Sequence, residues 1–297
     1  MPETSQDPWA AWVLERRFTD PEQAEQAMSN LVSIRERVLE GASIREGDVV
    51  LDVGAGDGLI AFAALPLVGE SGKVIFSDVS QELLDVSRGL ARELDAPDRC
   101  EFLLARAEDL GPVADASVDV VTTRSVVIYV EQKQRAFDAF HRVLRPGGRL
   151  SMFEPINSFG HPEPEAQYLG FDLAPVAALV GRVKDAYERL SKGGDSTLLD
   201  FDERDLLAFV DRAGFNKVEL TYEAGLEYGA GARWGNELSW DSFLRIAPNP
   251  RAPSLAETID DALTPEEAER FVAHMQPLFE GKQGTSRSAV AYLRAVK

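Results

Sequence analysis

Leu51-Asp52-Val53-Gly54-Ala55-Gly56-Asp57-Gly58 follows directly on Val49-Val50 and precedes a helix-forming segment. Three glycines between a buried strand and a helix have a physical meaning. A strand that turns sharply into a helix needs backbone angles that a Cβ disfavours, and a ligand lying over the turn needs the space a Cβ would fill. The free amides at the helix start then favour a carboxylate or phosphate. A dinucleotide fingerprint would require Gly or Ala at position 59, and that position is Leu59. The pattern is instead D-x-G-x-G-x-G, with Asp52 two positions before the first glycine, where a carboxylate can hold a cationic amine. A tight turn without any ligand, or a nicotinamide or flavin site, are the competing readings of these residues.

The flanking chain carries the same alternation. Lys73-Val74-Ile75-Phe76-Ser77, Cys100-Glu101-Phe102-Leu103-Leu104, Val118-Asp119-Val120-Val121-Thr122 and Arg149-Leu150-Ser151-Met152-Phe153 are short β-rich runs that read as buried strands. Between them, Gln81 to Leu94 and Lys133 to Leu144 have apolar residues at helical spacing. Repeated β-α-β units imply a parallel sheet with right-handed crossovers, a doubly wound α/β domain over residues 46–156. Beyond it the regularity ends. Asn157 to Gln167 is a Pro-rich loop, and Tyr168 to Leu190 reads as helix. Asp202 caps a helix from Glu203 to Ala213 that stops at Gly214, and Lys217 to Tyr222 alternates like a strand. Thr264-Pro265-Glu266-Glu267 opens a helix that runs to about Phe279, and Ser288 to Val296 is a closing strand. The expected organisation is N-terminal helices over 1–45, the core over 46–156, a helical insertion over 157–200, a return to the core over 201–223, an aromatic-rich insertion over 224–286 and a closing strand over 287–297.

Composition narrows the function. Fifty acidic against 31 basic side chains in 297 residues leave a net charge of −19, which repels a nucleic-acid backbone. Arg142, Arg145 and Arg149 form the longest basic cluster, too sparse to reverse that. The single cysteine, Cys100, forbids an intrachain disulfide and favours a reducing compartment. There is no metal-ligand spacing, no run of about 18 apolar residues and no basic leader before an apolar stretch, so a cytoplasmic protein without a membrane partner is expected.

The glycine motif and the positions that follow it resemble the class I S-adenosylmethionine-dependent methyltransferases, in their ubiquinone/menaquinone-biosynthesis-like small-molecule branch. The likeness covers roughly residues 46–156 and, more loosely, the closing strands. It implies a Rossmann-like, mostly parallel seven-stranded sheet with an antiparallel last strand and a helical cap. It also implies S-adenosylmethionine as cofactor and S-adenosylhomocysteine as product. Asp52, Gly54, Ala55, Gly56 and Gly58 would then form the cofactor turn. Asp78, followed by Val79, ends the second strand where one carboxylate can accept both ribose hydroxyls; its other reading, an N-cap for the Gln81 helix, is compatible with that role. Ala107-Glu108-Asp109-Leu110 matches the adenine segment. Here the sequence departs from the family, because Arg106 stands where an Asp or Asn often meets the adenine amino group and Arg has donors only. Recognition then moves to Glu108 or to main chain. Thr122-Thr123-Arg124-Ser125 ends the fourth strand at the rim for the methionyl group and substrate, where Arg124 can hold a carboxylate or phosphate of either or pair with Glu154. Leu144-Arg145-Pro146-Gly147-Gly148-Arg149-Leu150 matches an architectural turn of the family.

His161, on the loop after the fifth strand, and Glu154, at that strand's end, are the candidate catalytic groups; for Glu154 an ion pair or loop hydrogen bond is the alternative. His141 and His274 fall in helical patterns and read as surface or packing residues. Trp9, Trp12, Phe18, Tyr168, Tyr228, Trp234 and Trp240 lie in the additions, as expected of a lid over an apolar acceptor. Arg124, Tyr168 and Trp234 are the expected substrate contacts. The expected reaction is methyl transfer to O, N or C of a small metabolite, of secondary-metabolite or quinone-like type, by in-line displacement, and a homodimer is compatible with it. Two rivals share the fold: a cofactor-binding protein without transferase activity, and an enzyme that performs another reaction.

Overall fold

The computed structural model describes residues 7–16, 21–191, 196–230 and 238–297; Phe18 and Trp234 lie outside them. The strands are β1 (Val49–Val53), β2 (Lys73–Asp78), β3 (Cys100–Leu104), β4 (Val118–Arg124), β5 (Leu144–Pro155), β6 (Gln167–Tyr168), β7 (Phe171–Asp172), β8 (Asn216–Ala230) and β9 (Gly284–Val296). The α-helices are α1 (Pro8–Ala11), α2 (Pro21–Ala42), α3 (Ala61–Val68), α4 (Gln81–Glu93), α5 (Lys133–Val143), α6 (Ala177–Leu190), α7 (Ser196–Leu199), α8 (Glu203–Ala213), α9 (Trp240–Arg245), α10 (Leu255–Ala262) and α11 (Pro265–Glu280).

Seven strands form one sheet in the order β3-β2-β1-β4-β5-β9-β8. β1 to β5 pair in parallel, and β9 enters antiparallel between β5 and β8. Alternate residues of each strand feed opposite faces. Val50 and Val120 pack under Val38, Leu39 and Ala42 of α2 and Ala61, Ala64 and Val68 of α3. Leu51, Val53, Val121 and Met152 meet Ala136, Phe137 and Phe140 of α5 and Leu206 and Val210 of α8 on the other side. Burial on both faces explains why these strands are almost wholly apolar. A third cluster, with Tyr168, Phe171, Val180, Val183, Phe243, Ile259, Phe271 and Met275 at its heart, holds β6, β7, α6, α9, α10 and α11 together as a cap.

The helix boundaries follow the capping chemistry. Asp202 and Asp205 form a reciprocal capping box on α8, which ends at Gly214 with φ +89°, and Thr264 with Glu267 does the same for α11. Two segments differ from expectation. Tyr168 is not helical: Leu169 and Gly170 both have positive φ, and they form the tight turn between β6 and β7, held by the Glu163 carboxylate, which accepts from both their amides. The helix starts only at Ala177, after a short 3-10 turn containing Pro175. The strand expected over Lys217–Tyr222 continues to Ala230, because β9 offers partners from Gly284 onward, whereas its pairing with β5 runs only from Val290. β8 thus forms a long outer edge of the sheet. Among the described residues no helix is long and apolar enough to cross a membrane, and no group of three or more His, Cys, Asp or Glu is placed to hold a metal.

Phe271 is fully buried at the centre of the cap cluster. Phe271→Ala removes a large side chain from a close-packed site and is expected to lower the urea-unfolding free energy by about 3–5 kcal/mol. A loss below about 1 kcal/mol would show that the cap is loosely packed.

Candidate functional site

The strand order reverses between β1 and β4, and the carboxyl ends of the strands open there into a crevice, the usual ligand position in such sheets. The glycine bend sits at this point. The amides of Gly54 and Ala55 both donate to the Ser77 carbonyl, at 2.7 and 3.0 Å, which pins the bend to β2. Gly54 has φ +68°, and a Cβ there would lie 2.2 Å from the Val126 side chain. Gly56 has φ +56°, and a Cβ there would meet no heavy atom within 4 Å. It would project into the cavity instead. The Gly56 amide donates to Asp78 Oδ2 at 2.8 Å, and the Ser80 amide to Asp78 Oδ1 at 2.9 Å. Ser80, not Asp78, caps α4, its hydroxyl accepting from the Leu83 amide. Asp78 is therefore released from the capping role and faces the cavity.

That cavity encloses about 1970 Å³, well above the roughly 300–1,000 Å³ of a typical small-molecule pocket. It has room for an adenosyl-sized ligand and a second molecule. Asp52, Gly54, Ala55, Gly56, Asp78, Val79, Ala107, Glu108, Arg124, His161 and Tyr168 line it together, as do Trp9 and Trp12. Gly58, Thr123 and Glu154, also expected at the site, are not among its lining residues. Gly58, with φ +85°, is packed against Phe62 and Phe76. Thr123 is fully buried within β4. The Glu154 carboxylate is fully buried and accepts the amides of Val126 and Val127 at 2.9 Å and of Ile128 at 3.2 Å. These three bonds hold the chain that follows β4 against the end of β5. Trp234 falls outside the described residues.

The electrostatics of the bend are unusual for so acidic a chain. Burial pushes the Asp52 carboxyl up to about 7, against hydrogen bonds from Thr122 Oγ1, at 2.8 Å, and the Ala61 amide. Burial raises Glu154 to about 7 as well, against its three amides and the nearby Arg124. Asp78 is also raised by burial, resisted by the Ser80, Gly56 and Val79 amides. Arg124, buried beside Asp57, Asp52 and Glu154, is lowered by desolvation and supported by those acids. Arg106 does not reach into the site alone: its Nε donates to Glu108 Oε1 at 2.9 Å, so the two replace the acidic residue usual at that rim by an ion pair. Sequence reasoning did not single out Tyr129 or Arg251, which also line the cavity. Tyr129 lies in a short 3-10 turn after β4 and Arg251 in a loop between α9 and α10, where no periodicity or motif marks them.

Comparison with known proteins agrees with this geometry. Residues 51–152 match a family model described as a methyltransferase domain. The ubiquinone/menaquinone biosynthesis C-methyltransferase UbiE of Escherichia fergusonii is 30% identical over 183 residues, 61% of this chain and 71% of that protein. An arsenite methyltransferase of Halobacterium salinarum is 36% identical over 179 residues, 60% of this chain and 40% of the other. Among solved structures, the YcgJ protein of Bacillus subtilis superposes with a TM-score of 0.54 at 16% identity, covering 89% of this chain and 98% of that one. The cyclase SpnF superposes at 0.50 with 19% identity, covering 90% and 81%. Likeness at such identities speaks to the fold.

The raised carboxyls carry a pH dependence with a defined sign. Between the ordinary carboxylate range and about 7, the folded protein retains protons on Asp52 and Glu154 that the unfolded chain has released. Their contribution is complete below about pH 4 and is lost as pH rises through about 7. Urea unfolding at a series of pH values is expected to show stability falling over this window, and falling less steeply in Glu154→Gln. Equal slopes in the two proteins would contradict the shift.

Proposed function

Because the chain belongs to the class I S-adenosylmethionine-dependent methyltransferases, we propose that it transfers a methyl group to O, N or C of a small-molecule metabolite held under the cap. The observation that carries this reading is the open floor over Gly56, continuous with a cavity large enough for donor and acceptor together. The residues present fit the donor. Gly56 supplies the bare main chain, and Asp78, held by the Gly56 and Ser80 amides with Val79 also near, would accept from the ribose hydroxyls with its remaining acceptor capacity. Glu108 and Ala107, both in the cavity lining, would meet the adenine. Asp52 and Asp57 would face the cationic end of the methionyl group, and Arg124 its carboxylate.

S-Adenosylmethionine supplies a methyl group already activated on a sulfonium, so the reaction needs little covalent help from the protein. The work of this chain is to align the acceptor and to exclude water. Trp9, Trp12, Tyr168 and Phe243 would provide the apolar walls for that purpose. His161, on the cavity wall after β5, is the group we assign to take a proton from acceptors that must lose one. Secondary-metabolite or quinone-like molecules suit the size and apolar lining. Arsenite does not: it is thiophilic, and Cys100, the chain's one cysteine, begins β3 away from the cavity lining. The net charge of −19 argues against a nucleic-acid acceptor, and the lone cysteine supports a cytoplasmic setting.

The likeness to the cyclase SpnF supports a second reading, another reaction on the same fold. A radiolabelled methyl-transfer assay over a panel of small aromatic and quinone-like acceptors decides between them. Label appearing in any panel member supports transfer; binding of acceptors with no labelled product favours the alternative.

Two variants test the donor site by calorimetry with S-adenosylhomocysteine. Gly56→Val fills the floor and strains a positive φ, and is expected to abolish measurable binding. Asp78→Ala is expected to weaken binding about 10- to 100-fold by removing charge-assisted hydrogen bonds. Unchanged affinity in both would place the cofactor elsewhere.

A further inference from the structure

Tyr129 stands in the cavity wall near Arg124, and its ring is not used by the donor reading. The Arg251 guanidinium lies over its ring, 5.8 Å from the centroid, and Trp9 packs edge-on against the same ring at 4.8 Å and 85°. All three line the cavity. The other two arginines of the lining have acidic neighbours: Arg106 pairs with Glu108, and Arg124 lies beside Asp57, Asp52 and Glu154. Arg251 differs. Among the described residues its guanidinium makes no hydrogen bond and no ion pair, although acids outnumber bases 50 to 31 in the chain. Its main chain is nonetheless fixed, the amide donating to Asn249 Oδ1 at 2.8 Å between Pro248 and Pro253.

The acids of the lining have other partners or lie on other elements; Asp7, the one next to Trp9, caps α1, its carboxylate accepting the Trp9 and Ala10 amides at 2.9 and 3.3 Å. Asp52, Asp57 and Asp78 surround the glycine bend, Glu108 pairs with Arg106, and Glu163 accepts the Leu169 and Gly170 amides. Glu188 and Glu227 come from α6 and β8, and neither makes an ion pair with Arg251. An aromatic wall by itself would also suit an ammonium acceptor through its ring faces. Here Tyr129 already carries a guanidinium, which repels a second cation and attracts an anion.

We propose that Arg251 is the anion-binding residue of the acceptor site, and that the acceptor is an aromatic or conjugated small molecule bearing a carboxylate, its ring resting on Trp9 and Tyr129. This deepens the methyltransferase reading and depends on it for the identity of the second ligand. A planar guanidinium matches a carboxylate bidentately, which gives orientation as well as affinity. The acceptor would then be anchored at one end by charge, leaving its other end toward the donor.

The test uses the intact protein and two isosteric probes, 2-naphthoate and 2-naphthamide, titrated by calorimetry with and without saturating S-adenosylhomocysteine. The naphthoate is expected to bind about tenfold or more tightly than the amide. Arg251→Gln should erase that preference, and Arg251→Lys should restore part of it by returning the charge without the planar fork. Equal affinities of the two probes in the unaltered protein, no saturable naphthoate binding, or a preference that survives in Arg251→Gln would each overturn the proposal. S-Adenosylhomocysteine affinity, read in the same titrations, separates the two claims. Its absence overturns the donor site, while its presence without a carboxylate preference overturns only the role of Arg251.

Discussion

The hydrogen bond from the Gly56 amide to Asp78 is the contact on which the site depends. It joins the bend after β1 to the end of β2, two segments that the chain separates by a helix. With the Ser77 carbonyl holding Gly54 and Ala55 from below, the bend has no freedom to collapse into the crevice. Asp78 takes this amide on Oδ2 and the Ser80 amide on Oδ1, which fixes the carboxylate at the cavity wall. The shape of the bend is thus set in large part by one interaction between main chain and side chain.

Around that bend the protein keeps three carboxyls out of water, and it stabilises them mostly with backbone amides. Asp52, Asp78 and Glu154 are all raised by burial, yet each is held by at least one N–H group. Glu154 has a structural use, gathering three consecutive amides so that Tyr129 is presented at the cavity wall. Asp52 and Asp78 face the cavity and remain available to a cationic ligand. Two kinds of buried acid therefore lie within one site, and their partners distinguish them.

The parallel core was legible because burial on both faces writes itself as unbroken apolar runs, and the glycine bend because only glycine tolerates its backbone angles. Helix ends at Asp202, Gly214 and Thr264 were legible for a similar reason, since capping is local chemistry. The β6–β7 turn was not, because Leu169 is an uncommon residue at positive φ and its conformation is imposed from outside by Glu163. Nor was the fate of Glu154. Its position at a strand end suggested the cavity, and only the path of the following chain shows the carboxylate turned away. Arg251 and Tyr129 meet through tertiary packing alone, which leaves no period or spacing to read.

The long outer strand β8 has one further consequence. A second copy could in principle add to this edge and extend the sheet, the standing hazard of an open edge strand. Along β8, Glu219, Glu223 and Glu227 recur at every fourth residue, all exposed. Two such edges meeting antiparallel about a twofold axis would bring like charges into register, which is unfavourable across neighbouring strands. Glu219 and Glu223 are already paired with Arg294 and Arg37, so the charge left to repel a second edge is chiefly that of Glu227.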